Sequence, residues 1–191
     1  KIAVNQSFNR ITVDGDTSTN DSCTLSATNQ SGILYSQCKD EFQKALNEVT
    51  KKLAHMIVKD GEGATKFVEV NVSGLQSSDD CLEVAYTVSH SPLVKTALFA
   101  SDANWGRILA AVGRSKVSGI SLKNINIFLN DLLIIDSGEI SGQYTEDAGS
   151  IEMKKSEIII RIELGPSLNN ESVWTTDLSY DYVKINAEYR S

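Results

Sequence analysis

KDEFQKALNEVTKKLAHMIVKDGEGATKFVEVNVS, residues 39–73, changes its period once and so decides the fold class. Over Lys39 to Lys59 the apolar residues Phe42, Ala45, Leu46, Val49, Leu53 and Ile57 step by three and four, which predicts one buried stripe of a long amphipathic helix. Asp60-Gly61 predicts its end, because glycine suits the left-handed turn that follows a helix. From Phe67 to Val72 the period falls to two. Val68, Val70 and Val72 alternate with Glu69, Asn71 and Ser73, as in a strand with one covered face.

Downstream, Ser77 with Asp80 three residues later predicts a capping box opening a helix through Leu82, Ala85, Tyr86 and His90, which Pro92 closes or redirects. Asp102 predicts the N-cap of another helix, through Trp105, Ile108, Leu109 and Val112 to Gly113. Residues 125–136 read as two strands around an Asn130-Asp131 turn, and 157–164 and 172–178 as two further strands. A short helix over Tyr180 to Tyr189 follows, with Leu178, Tyr182, Val183, Ile185 and Tyr189 as its buried stripe. Upstream, the alternation Phe8, Ile11, Val13 predicts a strand delivering the polar loop DGDTSTND, residues 14–21, as a hydrogen-bonded wall. Residues 22–28 alternate as another strand, turned at Asn29 to Gly32. Helices and strands are mixed without strict alternation, so the expected class is α+β, mixed sheets packed with helices. The 191 residues allow one core or two lobes, and in the second case the seam falls near 102–118.

Composition removes several function classes. A net charge of −7, with basic residues clustered only as Lys51-Lys52 and Lys154-Lys155, argues against a nucleic-acid surface. The longest apolar run is too short for a membrane span, so the expectation is a soluble, cytoplasmic protein. Cys23, Cys38 and Cys81 have neither C-x-x-C spacing nor an even count, which predicts neither a disulfide framework nor a zinc site. His55 and His90 stand in no metal or triad spacing, so any acyl chemistry here proceeds without a histidine base.

Few motifs offer chemistry. The loop from Asp14 resembles a calcium loop in its alternating oxygens, but it has Thr19 where glycine is needed and Leu25 where the bidentate glutamate belongs. GEGATK at 61–66 lacks phosphate-loop spacing. Arg107 offers a bidentate clamp for a carboxylate or pairs with a structural acid. Gly61-Glu62-Gly63 sets a carboxylate between two glycines, which reads as a solvated turn or as a receptor for an ammonium group.

Four ordered blocks break this tie: SFNRITVDGDTSTND at 7–21, LVKTALF at 93–99, DANWGRILAAVG at 102–113 and WTTDLSYDYVKINAEY at 174–189. Together they resemble the beta chain of the ornithine acetyltransferases, the ArgJ family, over almost the whole sequence. The resemblance implies a self-processing αββα-type fold. It also implies acetyl transfer from N-acetyl-L-ornithine to L-glutamate through an acyl-threonine intermediate in arginine biosynthesis. Glu62 matches the family's substrate-contacting glutamate, and Asn186 and Ser191 match its two substrate-binding positions near the C-terminus. The family's nucleophile is the threonine exposed by self-cleavage, upstream of the region matching Lys1, and its oxyanion hole belongs to the alpha chain. No catalytic residue is therefore expected within this sequence. The implied partner is the alpha chain of the same precursor, in an assembly of two alpha and two beta chains. No cofactor or metal is implied, and the use of acetyl-CoA as donor is left open. A related self-processing aminopeptidase or amidase, and a non-catalytic binding module, are the competing readings.

Overall fold

A computed structural model describes residues 1–189. Val68, Val70 and Val72 are fully buried and their neighbours half-buried, so the two-residue period sets the central strand β1, Phe67–Gly74. Six strands form one mixed sheet: β1, β2 (Asn126–Leu129), β3 (Leu132–Asp136), β4 (Glu139–Ile140), β5 (Glu157–Glu163) and β6 (Ser167–Thr176), in the order β4-β3-β2-β5-β1-β6. β1 runs parallel to β5, with Val70 opposite Ile160, and antiparallel to β6, with Val70 opposite Val173. The α+β expectation holds, with one sheet in place of several; a second sheet of an αββα sandwich is not among the described residues.

A short helix, α1 (Ile2–Asn5), starts the chain and packs on α2 (Lys39–Lys59), whose limits match the periodicity. One face of the sheet is covered by α3 (Ser78–Ser89), α4 (Pro92–Phe99) and α5 (Trp105–Gly113), with α6 (Glu146–Met153) against β2 and β3. Val84, Val88, Leu98, Ile108 and Val112 meet Val68, Ile160 and Ile162 there in one apolar cluster that includes the 102–118 region. The capping box is present: Ser77 Oγ accepts from the Asp80 amide at 3.1 Å and donates to its carboxylate at 2.8 Å. α7 (Tyr180–Glu188) ends the described chain.

Several expectations need correction. The α2 stripe is not buried. Thr50, Ala54 and Val58 face inward, whereas Phe42, Val49, Leu53, Met56 and Ile57 are 40–55% exposed. The helix meets the second face of the sheet through aromatic and charged groups: His55 lies against Phe67 and Trp174, and Lys59 pairs with Glu157 at 2.6 Å. α7 likewise exposes Val183, Ile185 and Tyr189. Before Val13 there is a 3₁₀ turn, Phe8–Arg10, and Ile11 makes only a single bridge to Trp174. Residues 22–28 form no strand, and with no partner beside them Leu25 stays 68% exposed. α3 ends before Pro92 as expected, but Pro92 also opens an unexpected helix, α4, taking the first-turn position where its missing N–H costs nothing, with Ser91 as cap. The cap of α5 is Asn104, not Asp102; its side chain accepts from the Arg107 amide at 3.2 Å. β6 runs from Ser167 to Thr176, beginning five residues before the expected 172 and ending two before 178.

Candidate functional site

Where α2 gives way to β1, the chain passes through Gly61-Glu62-Gly63 beneath the start of α7. The left-handed residue is Gly63, at φ 64°, and Gly61 is not in that region. A Cβ on Gly63 would lie 2.5 Å from the Tyr182 amide and 2.7 Å from Ser179 Oγ, so only glycine lets the two segments touch. Ser179 fastens the contact. Its hydroxyl donates to the Gly63 carbonyl at 2.7 Å and caps α7 by accepting from the Tyr182 amide at 3.1 Å.

This approach brings two of the expected residues together. Asn186 Nδ2 donates to Glu62 Oε2 at 2.7 Å and to the Tyr182 carbonyl one turn earlier at 3.0 Å. Both side chains are exposed, and the amide engages one of the two carboxylate oxygens. Ser191 lies outside the described residues. One turn back on α7, the Tyr182 hydroxyl donates to Asp14 Oδ2 at 2.8 Å, so the start of the polar loop does reach this surface. The rest of that loop, Asp16 onward, is exposed and not a packed wall. Burial, the hydrogen bond to Asp14 and the nearby charges of Asp14, Asp16 and Glu62 push the Tyr182 phenol up to about 12. The surface is therefore acidic on both sides of α7, which favours a cationic head group.

Beneath it lies a polar clasp that sequence reasoning missed. Asp177 is 3% exposed and accepts from the Thr65 amide at 2.8 Å, the Thr65 hydroxyl at 2.5 Å and the Lys66 amide at 3.0 Å. Lys66 in turn donates through Nζ to the Met153 carbonyl at 2.8 Å, closing the end of α6. Lys95, also 3% exposed, donates from α4 to Thr175 Oγ1 at 2.9 Å and to the Thr176 carbonyl. Desolvation lowers its ammonium to about 8, against the opposing pull of Asp177 and Asp14. The available signal was a lone charge within the apolar run LVKTALF, and a Thr-Thr-Asp triplet ending a strand.

The remaining candidates lie apart from one another. Among the described residues Arg107 pairs with no acid: Nη1 donates to the Leu93 carbonyl at 2.8 Å and to Thr96 Oγ1 at 3.3 Å, tying α5 to α4. His55 is held low by desolvation and by Lys51, with Nε2 buried and unpartnered among the described residues. His90 rests on Tyr86 and is lowered by burial, Lys95 and Arg114. A concavity of about 260 Å³ opens elsewhere, lined by Gln6, Arg10, Lys51, Glu171, Ser172 and Trp174 among others. Among the described residues no group of His, Cys, Asp and Glu gathers as a metal site, and no helix is long and apolar enough to cross a membrane.

Comparison with known proteins gives a consistent picture. The model of the ArgJ family matches residues 1–191. The arginine biosynthesis bifunctional protein ArgJ of Pseudomonas fluorescens (strain Pf0-1) is 54% identical over 98% of this chain and 47% of its own length. That of Psychrobacter arcticus is 53% identical over 97% of this chain and again 47% of its own. The chain thus spans about half the length of the curated relatives it matches. A crystal structure of the arginine biosynthesis bifunctional protein ArgJ from Bacillus halodurans superposes with a TM-score of 0.91 at 37% identity, covering 98% of this chain and 90% of that one.

Proposed function

Because this chain belongs to the ArgJ family, we propose that it supplies substrate-binding walls for acetyl transfer from N-acetyl-L-ornithine to L-glutamate, a step of arginine biosynthesis. The observation that carries this reading is the 2.7 Å contact between Glu62 and Asn186, which joins two segments that sequence distance keeps far apart. The neutral amide engages one carboxylate oxygen and leaves the other open to a substrate ammonium. Ser191 joins them as a third binding group.

The attacking atom comes from a threonine outside this sequence. Its own terminal amine takes the hydroxyl proton, the oxygen attacks the acetyl carbonyl, ornithine leaves, and glutamate then collects the acetyl group from the acyl-threonine. Donors on the alpha chain stabilise the oxyanion, each critical one contributing roughly 3 to 4 kcal/mol. In support of a two-chain enzyme, this chain covers 47% of the full-length relatives but 90% of one chain of the Bacillus halodurans crystal structure. The assembly is two alpha and two beta chains, in the cytoplasm, with no bound cofactor.

The test is Glu62→Gln in the assembled enzyme. Losing a charge-assisted bond costs about 1.5 to 3 kcal/mol, or roughly ten- to a hundredfold in kcat/KM for both half-reactions, with the melting temperature held. Wild-type kinetics in Glu62→Gln would return this carboxylate to a solvated turn. Acetate release that needs no glutamate would replace transfer by hydrolysis.

A further inference from the structure

We infer that Lys95 is a positioning residue that sets the separation of Glu62 and Asn186 by fixing the end of β6, Thr175 to Asp177, which holds both of their segments. The inference rests on the substrate-binding reading of that pair. A nearly dry ammonium is expensive to keep in a protein interior unless its donors are matched. Lys95 meets that condition on one short segment. Nζ donates to Thr175 Oγ1 at 2.9 Å, to the Thr176 carbonyl and to Thr176 Oγ1 at 3.4 Å, and the Lys95 carbonyl accepts from the Leu178 amide at 3.2 Å.

That segment governs both halves of the candidate site. Asp177, next in sequence, holds Thr65 and Lys66, and so the loop carrying Glu62. Ser179, two residues on, caps α7 and holds Gly63, and so fixes the helix carrying Asn186. Displacing this strand end therefore moves the carboxylate and the amide by different amounts. Lys95 itself, 3% exposed beneath the strand end, touches neither. Methionine at this position fills a similar volume but leaves Thr175 Oγ1 and the Thr176 carbonyl unpaired.

The experiment compares wild type, Lys95→Met and Thr175→Val in the complete assembled enzyme. Steady-state kinetics with N-acetyl-L-ornithine are measured alongside amide hydrogen exchange. For Lys95→Met we expect KM to rise about tenfold or more while kcat falls less, since misplaced binding groups weaken ground and transition states together. Exchange should speed up at residues 61–66 and 180–188 and stay unchanged in β1 and β5. Thr175→Val removes one acceptor and leaves the lysine, so it should shift both readouts the same way by a smaller factor, and it stands in if Lys95→Met fails to assemble. Equal falls of kcat and kcat/KM, or unchanged exchange at 61–66 and 180–188, would overturn the positioning role. Wild-type enzyme without acetyl transfer would sink the proposed function, while the exchange pattern would still decide whether Lys95 holds the two segments.

Discussion

The two faces of the sheet are built by opposite means. Under α3, α4 and α5, Val68, Val70, Ile160 and Ile162 are sealed by aliphatic side chains. On the other face α2 buries only Thr50, Ala54 and Val58 and rests on Phe67 and Trp174 through His55, Lys51 and Lys59, while its larger apolar residues from Phe42 to Ile57 look outward. The first face contributes stability by burial. The second is joined by little aliphatic burial and in large part by contacts that water and salt weaken, and it carries an apolar stripe that a folded half-length chain does not cover. Hydrophobic period reports which side of a helix is apolar, and says nothing about what covers that side.

The sharpest way to break the comparison is to cut into the sealed face. Ile160, 1% exposed between Val70 and Leu129, should cost 2 to about 5 kcal/mol on Ile160→Ala, since a cavity there has no water to fill it. Urea unfolding measures this, and a loss under 1 kcal/mol would mean that the face is loosely packed.

An intermediate effect belongs to the polar clasp at the end of the sheet. Lys95 has an ordinary value of 10.5 when unfolded and about 8 when folded, so between these the unfolded chain binds the extra proton and raising pH favours the fold. Relative to Lys95→Met, wild type should gain up to roughly 3 kcal/mol between pH 7 and 10.5, levelling off above. The groups facing Lys95 are Asp177 beyond β6, Asp14 in the polar loop and His90 at the end of α3. Their own titration is removed by taking the difference between the two proteins. A flat difference would place the amine in contact with water.

The smallest effect should come from the open side of α2. Leu53→Lys, 45% exposed in this chain, should alter the stability of the isolated chain by no more than about 0.5 kcal/mol. In the complete assembly, where we propose that a partner chain is present, the same change should lower the yield of assembled enzyme on a sizing column. Equal behaviour in both settings would remove the asymmetry between the two faces.

These contrasts explain what could be read from the sequence. α2 and β1 were legible to the residue or nearly so, because twenty-one and eight residues of unbroken period leave little freedom. Residues 22–28 misled because alternating small polar and apolar types also describe an extended loop; a strand needs a neighbour, which the pattern cannot supply. α4 was missed because Pro92 was read only for how it closes or redirects the helix before it, although Ser91 marks it as a start. α6, with Gly149 and Ser150 inside it, carried too weak a period to be seen. At the candidate site Glu62 and Asn186 were reachable only through family resemblance. Asp177 and Lys95 were not reached at all, since a lone buried charge is recognised by its partners and those lie on other elements.

The clasp also fixes an order of events during synthesis. Asp177 reaches Thr65 across 112 residues, and β1 pairs only with β5 and β6, which follow it at similar distances. The loop bearing Glu62 thus leaves a ribosome long before anything that can hold it exists. Closing such long loops is entropically slow, and β1 must wait without either neighbour. The candidate site is thereby a late event in folding, assembled only when the last strand has docked, so a truncated nascent chain presents the carboxylate without its recognition geometry.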